Sequence, residues 1–190
     1  MFDKITRGTY GYIDYKKKSN LIKAAILALI IILFAVIGII IYGNLKNLFM
    51  LPSLLTVIPF ANFAASYFAM VKFKTADIEL YSMLKNYDDA GMLMSDLIIV
   101  DADGKRYGCD FAVFYKGGIV GYSSTTTDLK YKPESHINDT LKKRGVNLRF
   151  KIYNDFNDFL KRINGVEAAI SDAEERSIEL AKETFINSSM

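Results

Sequence analysis

The sequence predicts a two-helix transmembrane hairpin followed by a cytosolic α/β domain with the element order αβββαβ and two further helices. Three observations predict it. Residues 21–71 are almost wholly apolar, whereas residues 72–190 have the mixed composition of a soluble domain. Lys and Arg gather on the outer flanks of the apolar stretch, leaving Lys46 alone in its middle. The later residues alternate between strand-like and helix-like apolar periods, punctuated by glycine turns. The expected organisation is a cytosolic N-terminal segment over 1–20, the hairpin over 21–71 and the α/β domain over 72–190.

The first span, 24–43, is a run of twenty uncharged residues, mostly branched aliphatics. At about 1.5 Å per residue it covers roughly 30 Å, the thickness of a hydrocarbon core. The second span, 48–71, follows after only Asn44, Leu45, Lys46 and Asn47, so it must turn straight back. A cleaved signal peptide fits poorly, because the apolar run is too long and no small-x-small cleavage site follows.

Residues 1–71 hold seven basic side chains against two acids, and the remainder holds seventeen against nineteen. The positive balance therefore belongs to the membrane-proximal segment and reports topology. Six of those bases lie at or before the first span, and Lys72 and Lys74 follow the second. The excess puts both termini in the cytoplasm, at the cell membrane. Tyr10, Tyr12, Tyr15, Tyr42 and Tyr67 lie near the expected headgroup levels.

In the second span, Ala61, Ala65 and Ala69 recur every four residues, and Ala24 and Ala28 offer a similar smooth surface in the first. Asn62 adds an amide that wants a partner on a neighbouring helix. The preferred reading is that Ala61, Asn62, Ala65 and Ala69 close the hairpin; self-association between protomers is the alternative. Pro52 and Pro59 are expected to loosen this helix. No acid or base lies within it, which argues against a transporter or a selective channel.

One cysteine, Cys109, and one histidine, His136, exclude an intrachain disulfide and a zinc site built on cysteines. No cofactor is expected. In the soluble part, Thr75 to Tyr87 reads as a helix with Ile78, Tyr81 and Leu84 on one face. Met94 to Val100, Arg106 to Tyr115 and Ile119 to Ser123 read as a three-stranded meander, turning at Asp103-Gly104 and Gly117-Gly118. A helix over Glu134 to Arg144 ends at Gly145, and Leu148 to Tyr153 alternates as a fourth strand. Asp155 caps a short helix carrying Phe156, Phe159, Leu160 and Ile163, which ends at Asn164-Gly165. A last amphipathic helix opens on Ser171 with Glu174, a capping-box pattern.

The stretch from Asp110 through Gly118 to Ser123 and Thr125, in that element order, resembles the core of the restriction-endonuclease-like superfamily, and in detail the nuclease-related NERD-type domains. In such domains an aspartate on the second strand precedes a glycine turn, and the third strand ends in a glutamate, one residue and a lysine. Setting Asp110 on that aspartate puts Gly118 on the turn, Ser123 on the glutamate and Thr125 on the lysine. The resemblance covers roughly residues 75–153. Metal-assisted phosphodiester cleavage needs paired carboxylates and a group that activates water. Ser123 and Thr125 supply neither, so the resemblance implies a nuclease-like domain without its nuclease. The plain reading of Asp110 is a solvent-facing strand residue or a partner for Arg106.

A basic run from Lys130 to Lys151 includes Lys142, Lys143, Arg144, Arg149 and Lys151, and with Asp110, Ser123 and Thr125 it forms the candidate ligand surface. Nucleic acid, a nucleotide or anionic lipid would suit it. The preferred reading is a solvated face compensated by the acidic last helix. The hydroxyls of Ser123 to Thr127 lack the glycines and lysine of a phosphate loop. His136 and Cys109 read as structural.

The sequence thus favours a non-enzymatic membrane protein whose cytosolic domain binds a partner or ligand, anchored or assembled by the hairpin. Its partners are the lipid bilayer and either further copies of itself or a larger membrane complex. Two alternatives stand beside it. One is a ligand-gated oligomeric effector that disrupts membranes. The other is a membrane-tethered metal-dependent nuclease or hydrolase, for which Asp110→Asn would abolish activity.

Overall fold

The computed structural model describes residues 5–44, 48–125, 132–164 and 172–190. Lys46, Thr126, Thr127, Lys130, Gly165 and the Ser171 cap lie outside the described residues. The chain divides into two compact units. One joins Met1–Tyr12 to Thr75–Met190, and the other is Ile13–Lys74. The bounds thus differ from a division at residues 20 and 72, since the first twelve residues group with the globular part.

The second unit is the hairpin. Helix α1 (Tyr12–Tyr42) and helix α2 (Met50–Met70) are both long and apolar enough to cross a membrane. Helix α1 begins twelve residues before the expected span, because Lys16, Lys17, Lys18 and Lys23 are good helix formers. Pro52 sits in the first turn of α2, where its missing N–H costs nothing, and the helix runs on through Pro59.

Packing between the two helices departs from the alanine-stripe expectation. Ala61, Asn62 and Ala65 are exposed and Ala69 is half-buried. Phe60, Ala64 and Tyr67 instead turn towards Ala24 and Ala28, lining a groove of about 260 Å³. Lys23 Nζ lies 5.4 Å from the centre of the Phe63 ring. Aromatic side chains bury far more apolar area than an alanine stripe, so they decide the facing side. The stripe and Asn62 look outward from the hairpin.

In the globular unit, short helices α3 (Ile78–Met83) and α4 (Lys85–Asp89) replace the single helix expected over Thr75 to Tyr87. The break falls at Leu84, which is fully buried, while Ile78 is exposed. Asp77 caps α3 by accepting the Glu79 N–H at 2.8 Å. Strands β1 (Leu93–Val100), β2 (Arg106–Tyr115) and β3 (Gly118–Tyr122) form the antiparallel meander. After helix α5 (Lys132–Lys143), strand β4 (Phe150–Tyr153) returns parallel to β3, giving a mixed sheet of order β1-β2-β3-β4. Helices α6 (Phe156–Ile163) and α7 (Asp172–Asn187) complete the unit. Gly145 closes α5 with φ 74°, the left-handed cap its position required.

The sheet is covered on both faces. Ile137 and Leu141 of α5 and Ile178, Ala181 and Phe185 of α7 pack with Leu97, Ile99, Phe114 and Phe150. Leu84, Phe159 and Ile163 pack with Phe111, Val113, Val120 and Tyr122 on the other face. Tyr10, expected near headgroups, stacks on Tyr81 at 4.1 Å and donates to the Ala76 carbonyl. Tyr12 is buried, with its hydroxyl accepting from Arg7.

Both edges of the sheet are occupied. On β1, the Ser95 N–H donates to Gly8 O, the Val100 N–H donates to Ser188 O, and Ile98 O accepts the Met190 N–H. On β4, Asn138 of α5 bonds both the N–H and the carbonyl of Phe150, and Glu134 accepts the Ile152 N–H at 2.7 Å. Side chains there do the work of a fifth strand.

Candidate functional site

The site begins at a fault in the pleat. Strand side chains alternate between faces. Yet Met94 and Leu97, three apart on β1, share one core cluster, as do Cys109 and Ala112 on β2. Each strand therefore slips by one residue. The flanking pairs Ser95↔Phe111 and Leu97↔Cys109 leave Asp96 and Asp110 opposite each other at the slip. Asp96 carries it with φ 55°, a left-handed conformation that aspartate tolerates better than most residues.

The two aspartates have different partners. Asp96, 2% exposed, accepts the Gly11 N–H at 2.8 Å and the Ala76 N–H at 3.0 Å. It thus ties the segment before the hairpin and the segment after it to one residue of β1. Asp110 is also buried, and its Oδ2 accepts the Ser124 N–H at 2.6 Å. Burial pushes the Asp110 carboxyl above the ordinary aspartate value, and the hydrogen bonds from Ser124 pull it back in part. Asp110 is therefore neither solvent-facing nor paired with Arg106, whose Nε contacts Met190 Sδ.

Ser123 is buried beside this carboxyl, and its Oγ lies 3.5 Å from Thr125 Oγ1. Its N–H donates to Tyr153 O at 3.0 Å, extending the β3–β4 ladder past its last pair. Burial raises the Tyr122 phenol, as do the charges of Asp110 and Asp155, so both carboxylates act on this one ring. Asp155 caps α6 through the N–H groups of Asn157 and Asp158.

Beside β4 a crevice of about 390 Å³ opens between the first turn of α5 and the start of α6. Glu134, Lys151, Tyr153, Asn154, Asp155 and Asp158 line it. Lys151 Nζ sits 5.0 Å above the Tyr153 ring, a cation–π contact that holds the ammonium at the rim. Space for a small molecule, with convergent polar groups at the carboxyl ends of two parallel strands, is a common setting for a ligand site.

The expected ligand surface divides in two. Asp110, Ser123, Thr125 and Lys151 belong to the carboxyl end of β3 and β4. Lys142, Lys143 and Arg144 end α5, and Arg149 O accepts the Ile119 N–H at the opposite, amino end of the strand pair. Charge compensation by the last helix is seen in the Arg144–Glu183 pair at 3.9 Å. Cys109 is a core residue; burial raises its thiol far above the ordinary range. His136 is half-buried within α5. Among the described residues no three His, Cys, Asp or Glu side chains gather to hold a metal.

Asp96 and the crevice beside β4 escape a reading of local pattern. The available signal for Asp96 is a single charge inside a mostly apolar strand. Comparison with family models, characterised proteins and solved structures returns no match for the chain.

Proposed function

We propose that this is a two-pass protein of the cell membrane, with both termini in the cytoplasm, whose α/β domain is a binding module. The crevice beside β4 is its ligand site. The observation that carries the reading is the convergence of Lys151, Tyr153, Asn154 and Asp155 on a space of about 390 Å³. Orientation rests on the basic flanks of the hairpin. A nuclease-like ancestry would make this a recognition domain, because Ser123 and Thr125 replace the charged pair that cleavage needs.

Native mass spectrometry of the full-length protein in a mild detergent tests the ligand. A small retained mass that disappears in a Lys151→Ala/Asn154→Ala variant supports the crevice. A wild-type chain without added mass, or a variant that keeps it, overturns that assignment. Protease added to intact cells should leave the α/β domain uncut, and cleavage there would reverse the topology.

A second reading is favoured by one observation, the outward-facing Asn62 with Ala61 and Ala65. An amide exposed to lipid gains by bonding to a second copy, and small residues let helices approach. On this reading ligand binding rearranges assembled hairpins and perturbs the membrane. Ala65→Leu should abolish assembly while leaving the hairpin intact; an unchanged oligomer would sink the idea.

A further inference from the structure

We infer that the cytoplasmic-side portion of α1 carries a binding site for the headgroup of an anionic phospholipid, formed by Tyr15, Lys18, Ser19 and Lys23 around Ile22. The inference rests on the membrane reading above and adds to it a lipid preference and the residues responsible.

These five side chains line a shallow space of about 400 Å³ on one face of the helix. The lining is sorted by chemistry. Two ammonium groups, that of Lys23 also facing the Phe63 ring at 5.4 Å, and two hydroxyls supply donors, and Ile22 supplies the start of an apolar surface. Neighbouring Lys17 is already engaged, with its Nζ 2.7 Å from Asp14 and 2.8 Å from Phe73 O. Lys18 is exposed and has no partner among the described residues. Ammonium and hydroxyl donors held this close together suit a phosphate diester.

The same helix face continues beyond the space in the way a lipid does. Ile22, Ile26, Leu29 and Leu33 follow Tyr15 and Lys18 at steps of three and four residues, and all four are exposed. From Ile22 to Leu33 the helix rises about 16 Å, close to half of a hydrocarbon core of roughly 30 Å. A headgroup seated at Lys18 and Ser19 would therefore lay its acyl chains along an aliphatic stripe as deep as one leaflet. A free phosphate would use the donors and leave the stripe without a role.

Full-length protein reconstituted in phosphatidylcholine vesicles with a minor fraction of phosphatidylglycerol, then released for native mass spectrometry, tests this. The wild-type chain should retain phosphatidylglycerol well above its share of the vesicle. Lys18→Gln and Lys23→Gln should each lower that enrichment about fivefold, the contribution of one basic residue at an anionic surface. Lys85→Gln/Lys105→Gln, exposed on the globular unit and outside any proposed ligand surface, should keep it. Retention of the two lipids in vesicle proportion, undiminished enrichment in the Lys18→Gln/Lys23→Gln variant, or displacement by millimolar inorganic phosphate would each overturn the site. Protein that fails to float with the vesicles after an alkaline wash would overturn the membrane reading itself. Protein that floats without enrichment removes only the lipid site.

Discussion

Replacing Asp96 should loosen the globular unit by an amount that follows from its geometry. The carboxylate is 2% exposed and accepts the N–H groups of Gly11 and Ala76 at 2.8 and 3.0 Å. A backbone donor bonded to a carboxylate contributes about 1.5–3 kcal/mol, and removing the acceptor leaves the donor unsatisfied. Asp96→Ala deletes both bonds, for about 3 kcal/mol at the lower end of that range. At φ 55° an alanine costs about 1 kcal/mol more than a glycine. The expected losses are therefore about 4 kcal/mol for Ala, about 3 for Gly and about 1.5 for Asn, whose amide oxygen still serves one donor. Pulse proteolysis of the full-length protein in detergent, over a urea series, reads the intact domain directly. With a slope of roughly 2 kcal/mol per molar urea, Asp96→Ala should lower the midpoint by about 2 M. An alanine variant as stable as the asparagine variant would refute the clamp.

Two further outcomes follow from the same sheet. Because burial raises the Asp110 carboxyl, the folded protein holds that proton more tightly than the unfolded chain, and stability falls as pH rises from the ordinary aspartate value through the folded one. Asp110→Asn carries no such proton, so its urea midpoint should gain on wild type as pH rises above about 4; parallel pH profiles would contradict this. Gly118, at φ 147°, would place an added Cβ 2.8 Å from Arg149 O. Gly118→Ala should cost about 2 kcal/mol, read as a midpoint drop of about 1 M, and a neutral result would mean that β4 yields freely.

Much of the fold was legible because its signals are local. Strand β2 spans Arg106–Tyr115, between its two glycine turns, Asp155 caps α6, and Gly145 ends α5. Each depends on residues a few positions apart. What escaped depends on distant partners. The N–H donors that place Asp96 lie 20 and 85 residues away along the chain, and no periodicity marks them. The outward turn of Ala61 and Ala65 was hidden for a related reason. A four-residue repeat shows that a smooth face exists, but the bulk of Phe60 and Tyr67 decides which face meets α1. For the candidate surface, strand direction matters most. The return of β4 parallel to β3 sends Arg149 and Ser123 to opposite ends, although the sequence reading gathers both into one candidate surface.

Anchoring to a bilayer confines copies of a domain to two dimensions, where they meet one another far more often than in free solution. A sheet with bare margins would then invite templated growth, one copy's strand adding to the next. Here Gly8, Ser188 and Met190 occupy the β1 margin, and Asn138 and Glu134 occupy that of β4. The domain can therefore be crowded without its sheet being extended by a neighbour or by a passing peptide. On the proposed reading, recognition would be left to the crevice, the loops and the helix surfaces, which can engage a partner without polymerising it.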